Sequence, residues 1–231
     1  MDSISLRIKE EFHSDWSGFQ FELNFEKLNR LAEKYPYPKA VRKSQSQFPE
    51  VAWELEEEVK ECIRLIYSQR ANVLIVGKNG VGKSSVLKQA IKRVSSQAKK
   101  EKVEISFWRI MAQRITATAQ YLGDWQKSVE DLIRELSDAN GVLWVENVIQ
   151  LLREGGGGPE DSVAAFMTSF LQNDGVQIIG EVTEKELESM RRFLPGFVEC
   201  FQVLKIEELT ENQVRSVMNQ FAEFSLSLIH I

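Results

Sequence analysis

The fold of this chain is decided by one stretch of its sequence, Asn72-Val73-Leu74-Ile75-Val76-Gly77-Lys78-Asn79-Gly80-Val81-Gly82-Lys83-Ser84. An apolar run of strand length opens the stretch, and the spacing Gly-x-x-x-x-Gly-Lys-Ser follows it. A loop of this spacing turns backbone N–H groups inward around a phosphate, and it needs glycine where a Cβ atom would obstruct the turn. The stretch therefore predicts a phosphate-binding loop between a buried strand and a helix.

The residues of this loop are candidate ligands of a nucleotide. We expect Lys83 to reach the β- and γ-phosphates and the Ser84 hydroxyl to ligate Mg²⁺. The N-terminus of the following helix adds partial positive charge beneath the phosphates. The residues predicted to bind the nucleotide are Gly77, Lys78, Asn79, Gly80, Val81, Gly82, Lys83, Ser84 and Ser85.

A second strand ending in acidic residues is expected in a phosphate-transfer site, because an Asp there holds Mg²⁺ and a following Glu polarises the attacking water. The candidate is the run from Gly141 to Val145, which is followed by Glu146 and Asn147. Glu146 stands where the Mg²⁺-binding Asp is expected, and Asn147 stands where the Glu that polarises the attacking water is expected. An amide can position a water but cannot take its proton. We therefore predict Glu146 and Asn147 as the catalytic pair, with Ser84 and Glu146 as the metal ligands.

Strands and helices alternate along most of the chain. The sequence predicts strands at 72–76, 103–108, 142–145, 176–179 and 201–206. It predicts helices at 55–69, 84–96, 125–136, 162–171, 185–192 and 211–224. Such alternation is typical of an α/β fold, in which a parallel sheet is covered by helices on both faces to give a three-layer sandwich.

The composition narrows the class of protein. The chain has 231 residues, enough for one large domain, and its formal net charge is −5 with the two signs interleaved. This balance argues against a surface that attracts nucleic acid by its overall field. Apolar runs such as 73–76 and 142–145 are of strand length and far shorter than a membrane span. Nucleic acid and membrane are therefore not expected partners.

The chain start and the cysteines indicate the compartment. Residues 1–5 have neither the basic nor the apolar region of an export signal. The two cysteines, Cys62 and Cys200, have no metal-ligand spacing and fit a reducing environment. We therefore expect a soluble, cytoplasmic protein.

From about residue 48 to 224 the sequence resembles the first ATPase domain of the Clp-type AAA+ protein unfoldases. Besides the phosphate loop, the resemblance is carried by Tyr121-Leu122-Gly123-Asp124-Trp125, which is similar to the family's Tyr-Arg-Gly-Glu-Phe. It is also carried by the strand that ends at Glu146, and by Ile179-Gly180-Glu181-Val182-Thr183, which is similar to Ile-Gly-Ala-Thr-Thr. The resemblance implies a P-loop NTPase (AAA+) fold that binds ATP and Mg²⁺. It further implies a homo-hexamer with Tyr121 on a pore loop gripping a polypeptide substrate, and a protease or a second ATPase ring as a further partner.

The sequence also departs from the family at several positions of the nucleotide site. The sensor threonine corresponds to Val182, which has no hydroxyl, and the Gly-Arg element near the adenine is missing around Ala52-Trp53. Two arginines that reach a neighbouring subunit's ATP fall on Glu199 and Cys200, while Arg191 and Arg192 lie eight residues earlier. Arg191 or Arg192 can act as an arginine finger only if the loop shifts. With Asn147, these departures imply that binding of ATP is retained better than its hydrolysis.

The residue pattern and the resemblance together divide the chain into four segments. Residues 1–47 are predicted to be an N-terminal appendage and linker, 48–206 the AAA+ α/β nucleotide-binding subdomain, and 207–225 the start of a helical lid. Residues 226–231 resemble the translation of a transposon-derived sequencing adapter, which implies that the chain was cut near Ser225. The alternative for these residues is a short apolar C-terminal strand.

Three functions remain open on the sequence. The first is the ATP-binding ATPase domain of a Clp-like protein unfoldase or remodelling chaperone. The second is a nucleotide-binding scaffold that does not hydrolyse ATP. The third is another P-loop AAA+ ATPase that acts on DNA or on protein complexes. The negative net charge of the chain and the resemblance of the Tyr121 segment to that of the unfoldases count against this third function.

Overall fold

A six-stranded sheet runs through the part of the chain that the computed structural model describes, residues 25–36, 50–117, 124–173 and 176–229. Its strands are β1 (Glu33–Tyr35), β2 (Asn72–Val76), β3 (Ser106–Ile110), β4 (Gly141–Val145), β5 (Gln177–Val182) and β6 (Phe201–Lys205). Their order across the sheet is β1-β3-β4-β5-β2-β6. The strands from β2 to β6 pair in parallel, and β1 pairs antiparallel to β3 at one edge. The predicted parallel α/β sheet is confirmed.

Helices cover both faces of this sheet. They are α1 (Glu26–Leu31), α2 (Glu56–Ile63), α3 (Lys83–Glu101), α4 (Ala112–Thr116), α5 (Asp124–Asp138), α6 (Val163–Gln172), α7 (Glu184–Phe193), α8 (Pro195–Glu199) and α9 (Glu211–Ile229). A π-helical turn at Arg64–Ser68 prolongs α2, and 3-10 turns lie at Val148–Leu152 and Pro159–Asp161.

The two faces of the sheet bury two separate groups of side chains. Val73 and Ile75 of β2 pack with α2 and α3, whereas Leu74 and Val76 belong to the core formed with α5, α6, α7 and α8. Neighbouring strand residues point to opposite faces, so a strand that is covered on both sides must be apolar throughout. This is why β2 and β4 show no polar alternation in the sequence.

The boundaries of several predicted elements differ from the structure, and two strands show the physical reasons. Strand β3 begins three residues later than predicted, because α3 continues to Glu101 and ends at Lys102, whose φ of 57° is left-handed. Val103, which the sequence placed at the strand start, is 46% exposed. Strand β5 is longer than predicted, because Gly180 and Glu181 pair with Leu74 and Ile75 of β2.

Residues 25–36 are part of the domain, although the sequence assigned them to an appendage. Leu28 and Leu31 are buried in the main core, and the Tyr35 ring packs edge-on against Trp144 with ring centroids 5.3 Å apart. The Glu135 carboxylate of α5 accepts hydrogen bonds from the backbone N–H groups of Lys27 and Leu28, at 3.1 and 2.8 Å. Helix α1 therefore adds to the helical layer that covers the sheet, and β1 adds one edge strand to the sheet.

The C-terminal helix α9 lies against the segment that precedes α2. Ser216 Oγ donates a hydrogen bond to a Glu54 oxygen at 2.6 Å, and the Phe221 ring packs edge-on against Trp53. Because α9 continues to Ile229, the alternative of a C-terminal strand is wrong for residues 226–229. None of the helices in the described ranges combines the length and the apolar character that crossing a bilayer requires.

The 3-10 turn that follows β4 packs so closely against β5 that residue 180 must be glycine. A Cβ atom at this position would lie 2.1 Å from Val148 Cγ2 and 3.0 Å from the Val145 carbonyl oxygen. Val148 is fully buried, so it has little room to give way. Overpacking of this kind typically costs about 1–3 kcal/mol, and we expect Gly180→Ala to lower the free energy of unfolding by about that amount, measured by urea titration.

Gly157 provides the matched control for this substitution. Beyond Gly157 itself and its two chain neighbours, no heavy atom lies within 4 Å of the position that a Cβ would take, and the residue is exposed. We expect Gly157→Ala to leave the free energy of unfolding within about 0.5 kcal/mol of that of the original chain. Equal urea midpoints for the two variants would contradict the close packing of the turn on β5.

Candidate functional site

The predicted phosphate loop connects β2 to α3, as the sequence requires. Gly80 and Gly82 have φ values of +86° and +101°, in the left-handed region that glycine occupies without strain. A Cβ atom at Gly77 would lie 2.6 Å from the carbonyl oxygen of Ile206, and one at Gly82 would lie 2.8 Å from Leu55 Cδ1. All three glycines are therefore explained by local geometry.

The first turn of α3 is open to an anion. Its N-cap residue is Gly82, which has no side chain to accept hydrogen bonds from the backbone, and no acidic residue lies in the first turn. Helix α3 has 19 residues, so its N-terminus carries a well-developed partial positive charge. Backbone donors without a side-chain cap and a positive helix end together favour a phosphate group.

Lys83 lies over the loop. Its Nζ donates hydrogen bonds to the carbonyl oxygens of Gly77 and Lys78, both at 2.8 Å. The ammonium group therefore stands at the loop itself, where it can contribute positive charge to a phosphate.

A cavity of about 430 Å³ opens between this loop and the ends of β4 and β5. It is lined by Asn79, Gly80, Gly82, Lys83, Ser84 and Ser85 of the loop, and by Glu146, Asn147, Glu181, Val182, Thr183 and Glu186. The structure thus brings together most of the predicted site.

Three predicted residues belong to the loop but do not line the cavity. Gly77 is buried against the backbone of Ile206, and the partly buried Val81 packs against the core that contains α2 and α3. Lys78 points to the other side of the loop, where its Nζ forms an ion pair with Glu208 Oε2 at 2.5 Å.

Glu146 and Asn147 lie at the end of β4, as predicted. The carboxylate of Glu146 forms a close ion pair with Arg109 of the neighbouring strand β3. The Arg109 guanidinium also lies 5.2 Å from the ring centroid of Trp144. Asn147 is exposed at the cavity and begins the 3-10 turn, since its carbonyl oxygen accepts from the N–H of Gln150.

Glu181 is a residue of this cavity that the sequence did not single out. Its Oε2 accepts a hydrogen bond from Ser84 Oγ at 2.6 Å. Burial raises the pKa of the Glu181 carboxyl, while the Ser84 hydrogen bond and the charges of Lys83 and Lys88 act in the opposite direction. The sequence did carry one sign of its importance: Glu181 stands two residues after Ile179, where the AAA+ unfoldases that the chain resembles have alanine.

The remaining predicted residues lie outside the phosphate cavity or have other roles. Val182 is buried, and the neighbouring Thr183 hydroxyl caps α7 by accepting from the N–H of Glu186 at 3.3 Å. Arg191 and Arg192 are exposed in the last turn of α7 and do not line the cavity. Tyr121 lies outside the described residues, so its predicted role in a pore stays a prediction.

The donors of the cavity fit a nucleotide phosphate with a bound cation. The loop presents a glycine cradle and a lysine to the phosphates, and the Ser84 hydroxyl and the carboxylates of Glu146 and Glu181 are the oxygen donors that Mg²⁺ prefers. Across the described ranges no group of three or more His, Cys, Asp and Glu side chains is arranged to hold a metal ion. A cation here would therefore depend on oxygens of the phosphates as well.

Comparison with known proteins agrees with this geometry. The family model described as ATPase family associated with various cellular activities (AAA) matches residues 73–193. Among curated relatives, the Chaperone protein ClpB of Mycoplasma pneumoniae is 20% identical over 170 residues, covering 71% of this chain and 24% of the relative. ClpB of Aquifex aeolicus is 22% identical over 166 residues, covering 71% of this chain and 16% of the relative. The chain thus spans a quarter or less of the length of these two relatives.

Solved structures share the fold. The S. cerevisiae Hsp104–ADP complex matches with a TM-score of 0.64 at 19% identity, covering 83% of this chain and 32% of that one. The Aeropyrum pernix ORC1 protein in complex with DNA matches with a TM-score of 0.59 at 18% identity, covering 76% and 50%. At these identities the likeness shows the architecture of the nucleotide-binding domain and nothing finer.

Proposed function

Because the chain belongs to the AAA family of ATPases, we propose that it is the ATP- and Mg²⁺-binding domain of a Clp-like protein unfoldase or remodelling chaperone. The observation that carries the proposal is the loop between β2 and α3, where Lys83 and the open first turn of α3 face one cavity. The relatives named Chaperone protein ClpB support the chaperone class.

The residues of the cavity divide the work of binding. The backbone N–H groups of the loop and the Lys83 ammonium would bind phosphate oxygens, and the Ser84 hydroxyl would be a ligand of Mg²⁺, with carboxylates at the strand ends close by. The bound ATP supplies the γ-phosphoryl group whose hydrolysis drives remodelling. At Asn147 the amide orients a water molecule but has no basic site to accept its proton, so we propose that hydrolysis is slow.

The proposed partners follow from the resemblance and the relatives. We propose a homo-hexameric ring, because the resemblance implies one, and a polypeptide substrate, because one matching S. cerevisiae Hsp104 structure is a complex with casein. A protease or a second ATPase ring is the further partner that the resemblance implies. The cytoplasm is the proposed location.

A labelled polypeptide tests this function. We expect fluorescein-labelled casein to bind the chain in ATP and Mg²⁺ more tightly than without nucleotide, measured by fluorescence anisotropy. Tyr121→Ala should weaken that binding by at least about tenfold if Tyr121 is the gripping residue, since truncating a tyrosine at a binding hot spot costs about 2 kcal/mol or more. Tyr121→Phe keeps the ring and is expected to bind like the original chain. Equal binding by Tyr121→Ala, or no effect of nucleotide, would count against the unfoldase.

The nucleotide-binding scaffold is a second candidate, and the composition of the cavity favours it. Asn147 replaces a proton acceptor, and Val182 places a buried aliphatic group where a hydroxyl is expected. Such a protein would assemble on ATP and recruit partners without turnover. Turnover by a variant at position 147 separates the two candidates.

A further inference from the structure

Two acidic side chains reach the phosphate cavity from neighbouring strands, and they have different partners. Glu146 directly follows β4, at the position where the sequence predicts the metal-binding acid. Glu181 lies on β5, between β4 and the strand that enters the loop.

Glu146 is paired with a side chain of β3, the neighbour of β4 that lies farther from the loop in the order of the sheet. Its carboxylate is paired with the Arg109 guanidinium, and the two side chains are only 24% and 31% exposed. A close pair of this kind loses considerable stability when one partner is withdrawn, because a largely buried charge is then left without its counter-charge. Glu146 is therefore held to Arg109 in this structure.

Glu181 is engaged with the loop. Residue 181 lies opposite Ile75 in the pairing of β5 with β2, so the sheet itself places its side chain beside the first turn of α3. The Ser84 hydroxyl donates its single proton to Glu181 Oε2 at 2.6 Å. A hydroxyl that donates its proton in one direction keeps its lone pairs for a cation in another.

We propose that Glu181, rather than Glu146, is the acidic residue that positions the Ser84 hydroxyl for the divalent metal of the nucleotide. Glu181 is a positioning residue, since it acts through Ser84. The metal-positioning role that the sequence assigned to Glu146, after β4, is therefore carried by Glu181 on β5. This inference rests on the proposed nucleotide binding.

The test compares two matched variants, Glu181→Gln and Glu146→Gln. The dissociation constant of a fluorescent ATP analogue is measured for each in Mg²⁺ and in EDTA, and the ratio of the two constants gives the metal enhancement of binding. Substituting a residue that orients a metal ligand typically costs about 10–100-fold in metal affinity. We expect the enhancement to fall about tenfold or to disappear in Glu181→Gln, and to change less than about threefold in Glu146→Gln.

The outcomes separate this inference from the proposed function. A loss of enhancement in Glu146→Gln that equals or exceeds the loss in Glu181→Gln would overturn the inference, as would an unchanged enhancement in Glu181→Gln, while nucleotide binding by the original chain would still stand. No binding by the original chain in Mg²⁺ or EDTA would overturn the proposed function, and the inference with it. Thermal unfolding of each variant identifies any that fail to fold, and Glu181→Asp then serves in place of Glu181→Gln, with a smaller loss expected.

A double-mutant cycle tests whether Glu181 acts through the hydroxyl. If it does, Glu181→Gln has little further effect on the metal enhancement once Ser84→Ala has removed the hydroxyl. A merely structural role of Glu181 would give additive effects, and additivity would contradict the assignment.

Discussion

Asn147→Glu is expected to raise the rate of ATP hydrolysis by about 100-fold or more. The side chain at 147 is exposed at the phosphate cavity, so a carboxylate there faces the site without a large cost of burial. A positioned general base contributes typically about 10²–10⁴-fold to a rate, and an amide supplies none of it. The measurement is steady-state release of phosphate from ATP in Mg²⁺.

Asn147→Gln is the matched control. It adds the same methylene group as Asn147→Glu but keeps the amide, so any gain that comes from reach alone would also be seen in it. We expect no gain in this variant. If Asn147→Glu also hydrolyses ATP no faster than the original chain, the cavity lacks more than a proton acceptor, and the scaffold is the better description.

Lys83→Ala is expected to weaken ATP binding by roughly 10–150-fold. Hydrogen bonds to charged groups are worth about 1.5–3 kcal/mol, and each 1.4 kcal/mol is about a factor of ten in affinity. The ammonium group lies at the loop, 2.8 Å from the carbonyl oxygens of Gly77 and Lys78, so it is already in place for a phosphate. The dissociation constant of a fluorescent ATP analogue in Mg²⁺ gives the result.

Lys99→Ala provides the control for Lys83→Ala. Lys99 is exposed in the last turn of the same helix, far along α3 from the loop, and its loss removes the same charge from the chain. We expect its affinity for the nucleotide to be unchanged. Equal affinities for the two variants would mean that the nucleotide does not bind at the loop.

The parts of the fold that the sequence predicts well are those governed by neighbouring residues. The glycines between Gly77 and Ser84 allow the backbone conformation of the loop wherever the loop occurs. The uninterrupted apolar runs of β2 and β4 indicate strands that are buried on both faces. The family resemblance added the AAA+ assignment, which the match over residues 73–193 confirms.

The parts that the sequence did not predict depend on contacts between distant residues. Strand β1 has three residues and is defined by its pairing with β3, so no periodicity marks it. The hydrogen bond between Ser84 and Glu181 joins residues 97 apart, and it exists because β5 lies next to β2. The ion pair between Arg109 and Glu146 likewise follows from the adjacency of β3 and β4. Only the sheet order reveals which carboxylate faces the loop.

Binding of the ATP phosphates by the loop between β2 and α3 is the property on which the other proposed roles depend. The most direct measurement is an experimental structure of the chain with a non-hydrolysable ATP analogue and Mg²⁺. We expect phosphate oxygens within hydrogen-bonding distance, about 3 Å, of Lys83 Nζ and of the backbone N–H groups from Gly80 to Ser84. A nucleotide bound elsewhere, with Lys83 still donating to the carbonyl oxygens of Gly77 and Lys78, would contradict it.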